Sequence, residues 1–286
     1  MRRRQGIPAA LAALLTGCSA VEVLDALVPQ DTYRGRTGIA YGADPRQKVD
    51  IYQPLRQDKP APVVVFFYGG NWTRGERADY RFVGEALAAR GVVVVVADYR
   101  LSPQVRWQDI LRDCAMAVRW TFDNATAYGG DPARIHLMGH SAGAYNAAML
   151  ALDPRWLATQ QLAPARLAGW IGVAGPYDFL PIHEPRSQVA FGWPNTPADS
   201  QPIRHANPKA PRTLLLAAAK DEVVDPVRST VWLGRALEAA GVPVRVRLFE
   251  RVGHPTVLGA LARPLRRLAP VLDEVLTFVG APPPNT

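Results

Sequence analysis

Arg134-Ile135-His136-Leu137-Met138-Gly139-His140-Ser141-Ala142-Gly143 is the stretch on which the fold turns. Ile135 to Met138 reads as a short buried strand, and Ala144-Tyr145-Asn146-Ala147-Ala148-Met149-Leu150 reads as a helix that begins near Ala142. Between them stands G-x-S-x-G, Gly139 to Gly143. A serine on such a turn is lifted above the sheet edge, and the two glycines give clearance that side chains would obstruct. The following helix directs free N–H groups and its positive dipole end at whatever the serine attacks. Five letters alone are a weak signal. Set between a strand and a helix, they mark Ser141 as a nucleophile.

Upstream, Val63 to Tyr68 is a continuous apolar run, as expected of a strand covered on both faces. It ends in Tyr68-Gly69-Gly70-Asn71-Trp72-Thr73-Arg74-Gly75, where adjacent glycines let backbone N–H groups turn towards the serine. Val49 to Tyr52 alternates like an edge strand and stops at Pro54. Ala78 to Arg90 predicts a helix, Val92 to Ala97 a buried strand, and Trp107 to Asn124 a long helix. Asp98 and Arg100, at the end of the second buried strand, are expected to tie loops together.

Downstream, Leu167 to Ala174 predicts another strand. Residues 175–210 then break the rhythm and are expected to form a cover, with Tyr177, Phe179, Phe191 and Trp193, together with Trp72, lining an apolar pocket. Thr213 to Ala219 is a strand that delivers Lys220-Asp221-Glu222-Val223-Val224-Asp225-Pro226 at its end. A helix from Arg228 to Ala240, a strand from Val244 to Phe249, Gly253-His254-Pro255, and a helix from Leu258 to Val279 complete the chain. Strand and helix alternate throughout. The fold class is therefore α/β, a mostly parallel central sheet with helices on both faces.

Serine, then acid, then histidine is the chain order of a hydrolase triad on such a sheet. His254 follows a strand in a glycine-bearing loop and is the expected base. His136 lies within a strand, His140 points away from the serine, and His183 and His205 belong to the insertion. A carboxylate must hold the other ring nitrogen in the correct tautomer. Asp221 and Asp225 both follow the Leu214 strand. Asp221 comes at once after it and is preferred; Asp225 precedes Pro226, where it would cap the next helix. Glu222 is expected in solvent.

The net charge is +8 over 286 residues. Arginine supplies most of it, scattered and without interleaved aromatics, which argues against a nucleic-acid partner. The two cysteines offer no disulfide framework. Cys114 sits in an apolar helix as a small hydrophobe. Cys18 follows Leu15-Thr16-Gly17, after a basic stretch, Met1 to Arg4, and an apolar run from Ile7 to Leu15. That pattern has the length of a secretory signal, residues 1–17, and is too short to span a bilayer. It resembles the bacterial lipobox, which implies lipidation of Cys18 and an anchor to a bacterial membrane. Ser19 in place of an aspartate implies the periplasmic side of the outer membrane. Residues 18–47 are expected to be a tether leading into a hydrolase domain over 48–280.

From about Val49 to Val279 the sequence resembles the α/β-hydrolase carboxylesterases of the bacterial esterase and feruloyl-esterase-like group, with arylformamidases as near relatives. The resemblance is most specific at Tyr68 to Trp72, Asp98 to Leu101, Gly139 to Gly143, Asp221 and Gly253-His254. In that family the first motif usually begins with histidine; Tyr68 stands there in this chain. By position, the resemblance implies oxyanion donors at the backbone of Gly70 or Asn71 and of Ala142. It implies Asp221 as the acid, an ester as substrate, and neither metal nor organic cofactor. The same triad would also serve an arylformamidase or amide hydrolase. A non-catalytic binding lipoprotein is the reading of another kind.

Overall fold

A computed structural model describes residues 24–281 with the exception of Ala26. Cys18 and the expected signal at 1–17 lie outside the described residues. Among the described residues eight strands form one sheet: β1 (Tyr33–Ala40), β2 (Lys48–Pro54), β3 (Ala61–Phe67), β4 (Val93–Ala97), β5 (Gly130–His140), β6 (Gly169–Val173), β7 (Thr213–Ala218) and β8 (Val244–Phe249). Their order is β1-β2-β4-β3-β5-β6-β7-β8. β1, β2 and β4 pair antiparallel, and every pairing from β4 through β3 to β8 is parallel. The expected α/β architecture is present.

Helices follow the strands: α1 (Arg81–Ala88), α2 (Trp107–Asn124), α3 (Ala142–Leu152), α4 (Pro154–Ala158), α5 (Pro185–Phe191), α6 (Trp232–Ala239), α7 (His254–Gly259) and α8 (Val271–Val279). α1 packs with α8, while α2 packs with α3 and α4. Every residue of β3, β4, β6 and β7 is buried, which explains why these strands read as unbroken apolar runs. None of the described helices is long and apolar enough to cross a membrane.

Three expectations need correction. Val49 to Tyr52 is not at the edge, because the segment expected as a tether contributes β1 outside it. β1 escaped notice because most of its residues are exposed and Gly35 and Gly38 interrupt it. Its register with β2 shifts between Arg36 and Ile39, and the Gly38 N–H donates to the Asp50 carboxylate at 2.7 Å. Second, Leu258 to Val279 is no single helix; α7 stops at Gly259, Arg263–Leu265 makes a 3₁₀ turn, and α8 starts after Pro270. Pro264 and Pro270 each remove a backbone donor that a continuous helix would need. Third, the helix expected from Arg228 begins with a π-helical turn, Val227–Val231, before α6. Residues 175–210 are not wholly irregular either, since they hold α5, whose first turn Glu184 caps by accepting from Ser187 N–H at 2.6 Å.

Candidate active site

Ser141 occupies the turn between β5 and α3 with φ 53° and ψ −122°, outside the regions that L residues favour. Two contacts enforce it. A Cβ on Gly139 would run into the backbone of Gly143, and a Cβ on Gly143 would run into the carbonyl of Phe67, so the helix can start this close to the strand only with glycine at both places. The Ser141 N–H donates to Val173 carbonyl at 2.9 Å, which ties the turn to β6.

His254 Nε2 lies 2.9 Å from Ser141 Oγ, and His254 Nδ1 lies 2.7 Å from Asp221 Oδ2. The Asp221 side chain is inaccessible to solvent. Burial pushes its carboxyl up. The His254 hydrogen bond and the N–H groups of Val223 and Val224, at 2.9 and 3.0 Å, outweigh burial and hold it below the usual carboxylate range. Asp225 is not part of this relay. Its Oδ1 accepts from Val227 and Arg228 N–H at 2.8 and 3.1 Å, at the start of the π-helical turn. Glu222 is exposed, as expected.

His140 hydrogen-bonds to His254 rather than to Ser141. Its Nε2 lies 3.0 Å from the His254 carbonyl oxygen, and the two rings stand 5.1 Å apart. Burial first, and the neighbouring His254 second, lower its pKa to about 3. The ring is therefore neutral, and to serve that carbonyl it must carry its proton on Nε2.

The Gly69–Trp72 loop faces the serine from β3. Gly70, Asn71 and Trp72 take φ values of 121°, 53° and 59°. Among the described residues, the N–H groups of Gly70, Asn71 and Ala142 have no hydrogen-bond partner. Asn71 and Ala142 border the same cavity as Ser141, whereas Gly70 does not. Tyr68 anchors this loop from below. Its hydroxyl donates to Asp98 Oδ1 at 2.7 Å and accepts from Arg46 at 2.8 Å, while its ring stacks on Tyr99 and Tyr80. Asp98 also accepts from Arg77, and Arg100 forks onto Asp113 at 2.8 and 2.7 Å, so both charged residues tie loops together as expected.

The cavity beside Ser141 measures about 350 Å³. Of the aromatic residues expected to line it, Trp72 and Phe179 do. Tyr177, Phe191 and Trp193 do not. Tyr177 is wholly buried and meets Trp170 edge-on at 6.0 Å. Phe191, turned inward by α5, lies behind Trp72 and stacks on Trp107 at 5.8 Å. Trp193 sits outside the lining, just past α5, with its backbone N–H donating to the Gln188 carbonyl. The remaining wall comes from residues not singled out in the sequence. Val223 and Val224 face it, and Arg228, paired with Asp178 at 3.2 Å, closes its polar side. Two adjacent valines between Asp221 and Asp225 were the one legible sign of that wall.

Residues 49–235 match the BD-FAE family. This chain belongs to the BD-FAE family. Among its curated relatives, a probable isoprenylcysteine alpha-carbonyl methylesterase of Oryza sativa subsp. japonica is 32% identical over 265 residues, 85% of this chain and 63% of that protein. Esterase LipC of Mycobacterium tuberculosis is 31% identical over 233 residues, 73% of this chain and 57% of that protein. The BD-FAE chain thus spans about 60% of the length of these relatives. Its fold is shared with an inhibited esterase B from Lactobacillus rhamnosis, with a TM-score of 0.77 and 20% identity over 95% of this chain and 93% of that one.

Proposed function

We propose that this BD-FAE protein is a carboxylic ester hydrolase that works through an acyl-enzyme on Ser141. The observation that carries the reading is the relay from Ser141 Oγ to His254 to a buried Asp221, at 2.9 and 2.7 Å. His254 takes the serine proton as Oγ attacks the ester carbonyl, and Asp221 holds the ring and stabilises its charged form. The unpaired N–H groups of Asn71 and Ala142 receive the oxyanion, whose charge exists only in the transition state. The alcohol leaves with the proton from His254. Water then enters by the same steps and releases the acid. The names of the relatives, a methylesterase and an esterase, support the same chemistry.

The cavity volume favours small soluble esters with a short or aryl acyl group. Arg228 pairs with Asp178, and Glu184 and Asp225 add negative charge to the lining, which favours neutral esters over anionic ones. The proposal includes a lipid anchor at Cys18, facing the periplasm from the outer membrane, which rests on the sequence of the leader.

Hydrolysis of p-nitrophenyl acetate and butyrate beside the matched p-nitroanilides tests the reading. Ester turnover that is lost in Ser141→Ala, together with stoichiometric labelling of Ser141 by an organophosphonate, is the expected result. A folded protein that cleaves no ester, or an undiminished Ser141→Ala, overturns it.

A further inference from the structure

Trp72 borders the cavity with Ser141 but is only 2% exposed, so nearly all of the indole is packed into the protein. Its N–H donates to Asn146 Oδ1 at 3.0 Å. Asn146 is wholly buried on α3, one turn beyond Ala142. One helix therefore starts directly after Ser141 and pins the cavity wall from its second turn.

What lies behind that wall is aromatic carbon. Tyr145 and Phe191 meet the indole edge-on at 5.3 and 4.8 Å, while Phe179, which borders the cavity too, lies nearly parallel to it at 6.0 Å. The Tyr145 hydroxyl and Asn146 Nδ2 are the polar atoms buried there without a hydrogen-bond partner; the rest of what packs on the indole is ring carbon. His254 does not border the cavity. The alcohol that departs with the proton of His254 therefore leaves from the other side of Ser141, and the cavity receives the acyl chain.

We infer that Trp72 is the end wall that limits acyl length, and that Asn146 is the positioning residue that holds it across the cavity. This rests on the esterase reading above. The hydrogen bond matters because ring packing holds the indole without fixing its direction, whereas the bond to Asn146 sets which edge is turned inward, and a wall that shifts would not discriminate. Shortening the wall opens the cavity towards Phe191 and Tyr145, where methylene groups exchange water for aromatic surface.

The test is kcat/KM for p-nitrophenyl acetate, butyrate, octanoate and decanoate with wild type, Trp72→Ala, Trp72→Phe and Asn146→Leu, each checked for folding by circular dichroism. Each methylene admitted is worth about fourfold in kcat/KM. Wild type should fall off steeply beyond butyrate. In Trp72→Ala the octanoate-to-acetate ratio should rise at least tenfold, and in Trp72→Phe and Asn146→Leu at least threefold. Asn146→Leu should act through the octanoate KM more than through the acetate kcat, an outcome that plain loss of stability would not produce. If Trp72→Ala does not fold, Trp72→Phe and Asn146→Leu carry the test. A ratio within twofold of wild type in the folded variants, with wild type active on short esters, overturns the end-wall inference alone. A folded wild type inactive on all four esters overturns the esterase reading instead.

Discussion

Two buried histidines make this fold sensitive to mild acid, and His140 links that sensitivity to the active site. Burial and then Arg212 lower His136 to about 4, and burial and then His254 lower His140 to about 3, both from 6.5. Between the folded and unfolded values the unfolded chain binds more protons, so stability falls as the pH drops below 6.5 and goes on falling until the folded values are reached. At pH 5 each histidine costs the fold about 2 kcal/mol relative to pH 8, about 4 kcal/mol together. That is a large share of the 5–15 kcal/mol typical of a domain. Asp221, whose pKa is lowered, contributes stability that is lost only below the ordinary carboxylate range, so a comparison at pH 8 and pH 5 leaves it out. Urea unfolding at the two pH values measures the drop. His140→Gln keeps a donor for the His254 carbonyl but does not titrate, and should halve the drop while retaining most of the turnover. His140→Leu leaves that carbonyl unpartnered, lets the base shift, and should lower kcat by about a hundredfold. A wild-type drop below about 1 kcal/mol, or an undiminished drop in His140→Gln, would refute the reasoning.

Asp221→Asn should lower kcat by about 10⁴, because the amide cannot hold the histidine in the productive tautomer. Asp225→Asn should leave steady-state kinetics near wild type and shift stability by under about 1 kcal/mol, since asparagine caps a helical turn as well as aspartate. Tyr68→Phe removes a donor from the buried Asp98 carboxylate and an acceptor from Arg46, and should cost about 1–3 kcal/mol, read as a drop of several degrees in Tm. Cys18→Ser, with the protein expressed in a bacterium, should move it from the detergent phase to the aqueous phase; unchanged partitioning would refute the proposed anchor.

The parallel half of the sheet was legible because strands buried on both faces must be apolar throughout, and β3, β4 and β7 are. Ser141, Asp221 and His254 were legible because their places are set by local punctuation: glycines at the elbow, a strand end, and a glycine before the histidine. β1 was not, since an exposed strand beside a solvent edge carries no apolar periodicity to read. The pocket was half legible. Trp72 and Phe179 lie within a few residues of a strand end, so short chain segments fix where they point. Phe191 and Trp193 depend on the phase of α5, which follows from Glu184 capping its first turn and from how α5 packs on Trp107. Asn146 looked like an ordinary polar residue in an apolar helix. The indole N–H across from it, which no sequence pattern shows, gives it a role.

The two sheet edges bear on how this protein behaves in concentrated solution. An unpaired edge is a template on which another copy can add a strand. Here β1 presents Arg34 and Arg36 together with a break in register, while β8 presents Arg245 and Arg247, which share one carboxylate, Glu274. Two molecules meeting edge to edge bring positive charge against positive charge. That repulsion reaches about 10 Å at 0.1 M salt and about 3 Å at 1 M. Light scattering should therefore find attraction between molecules growing with added salt, the reverse of association through complementary charges.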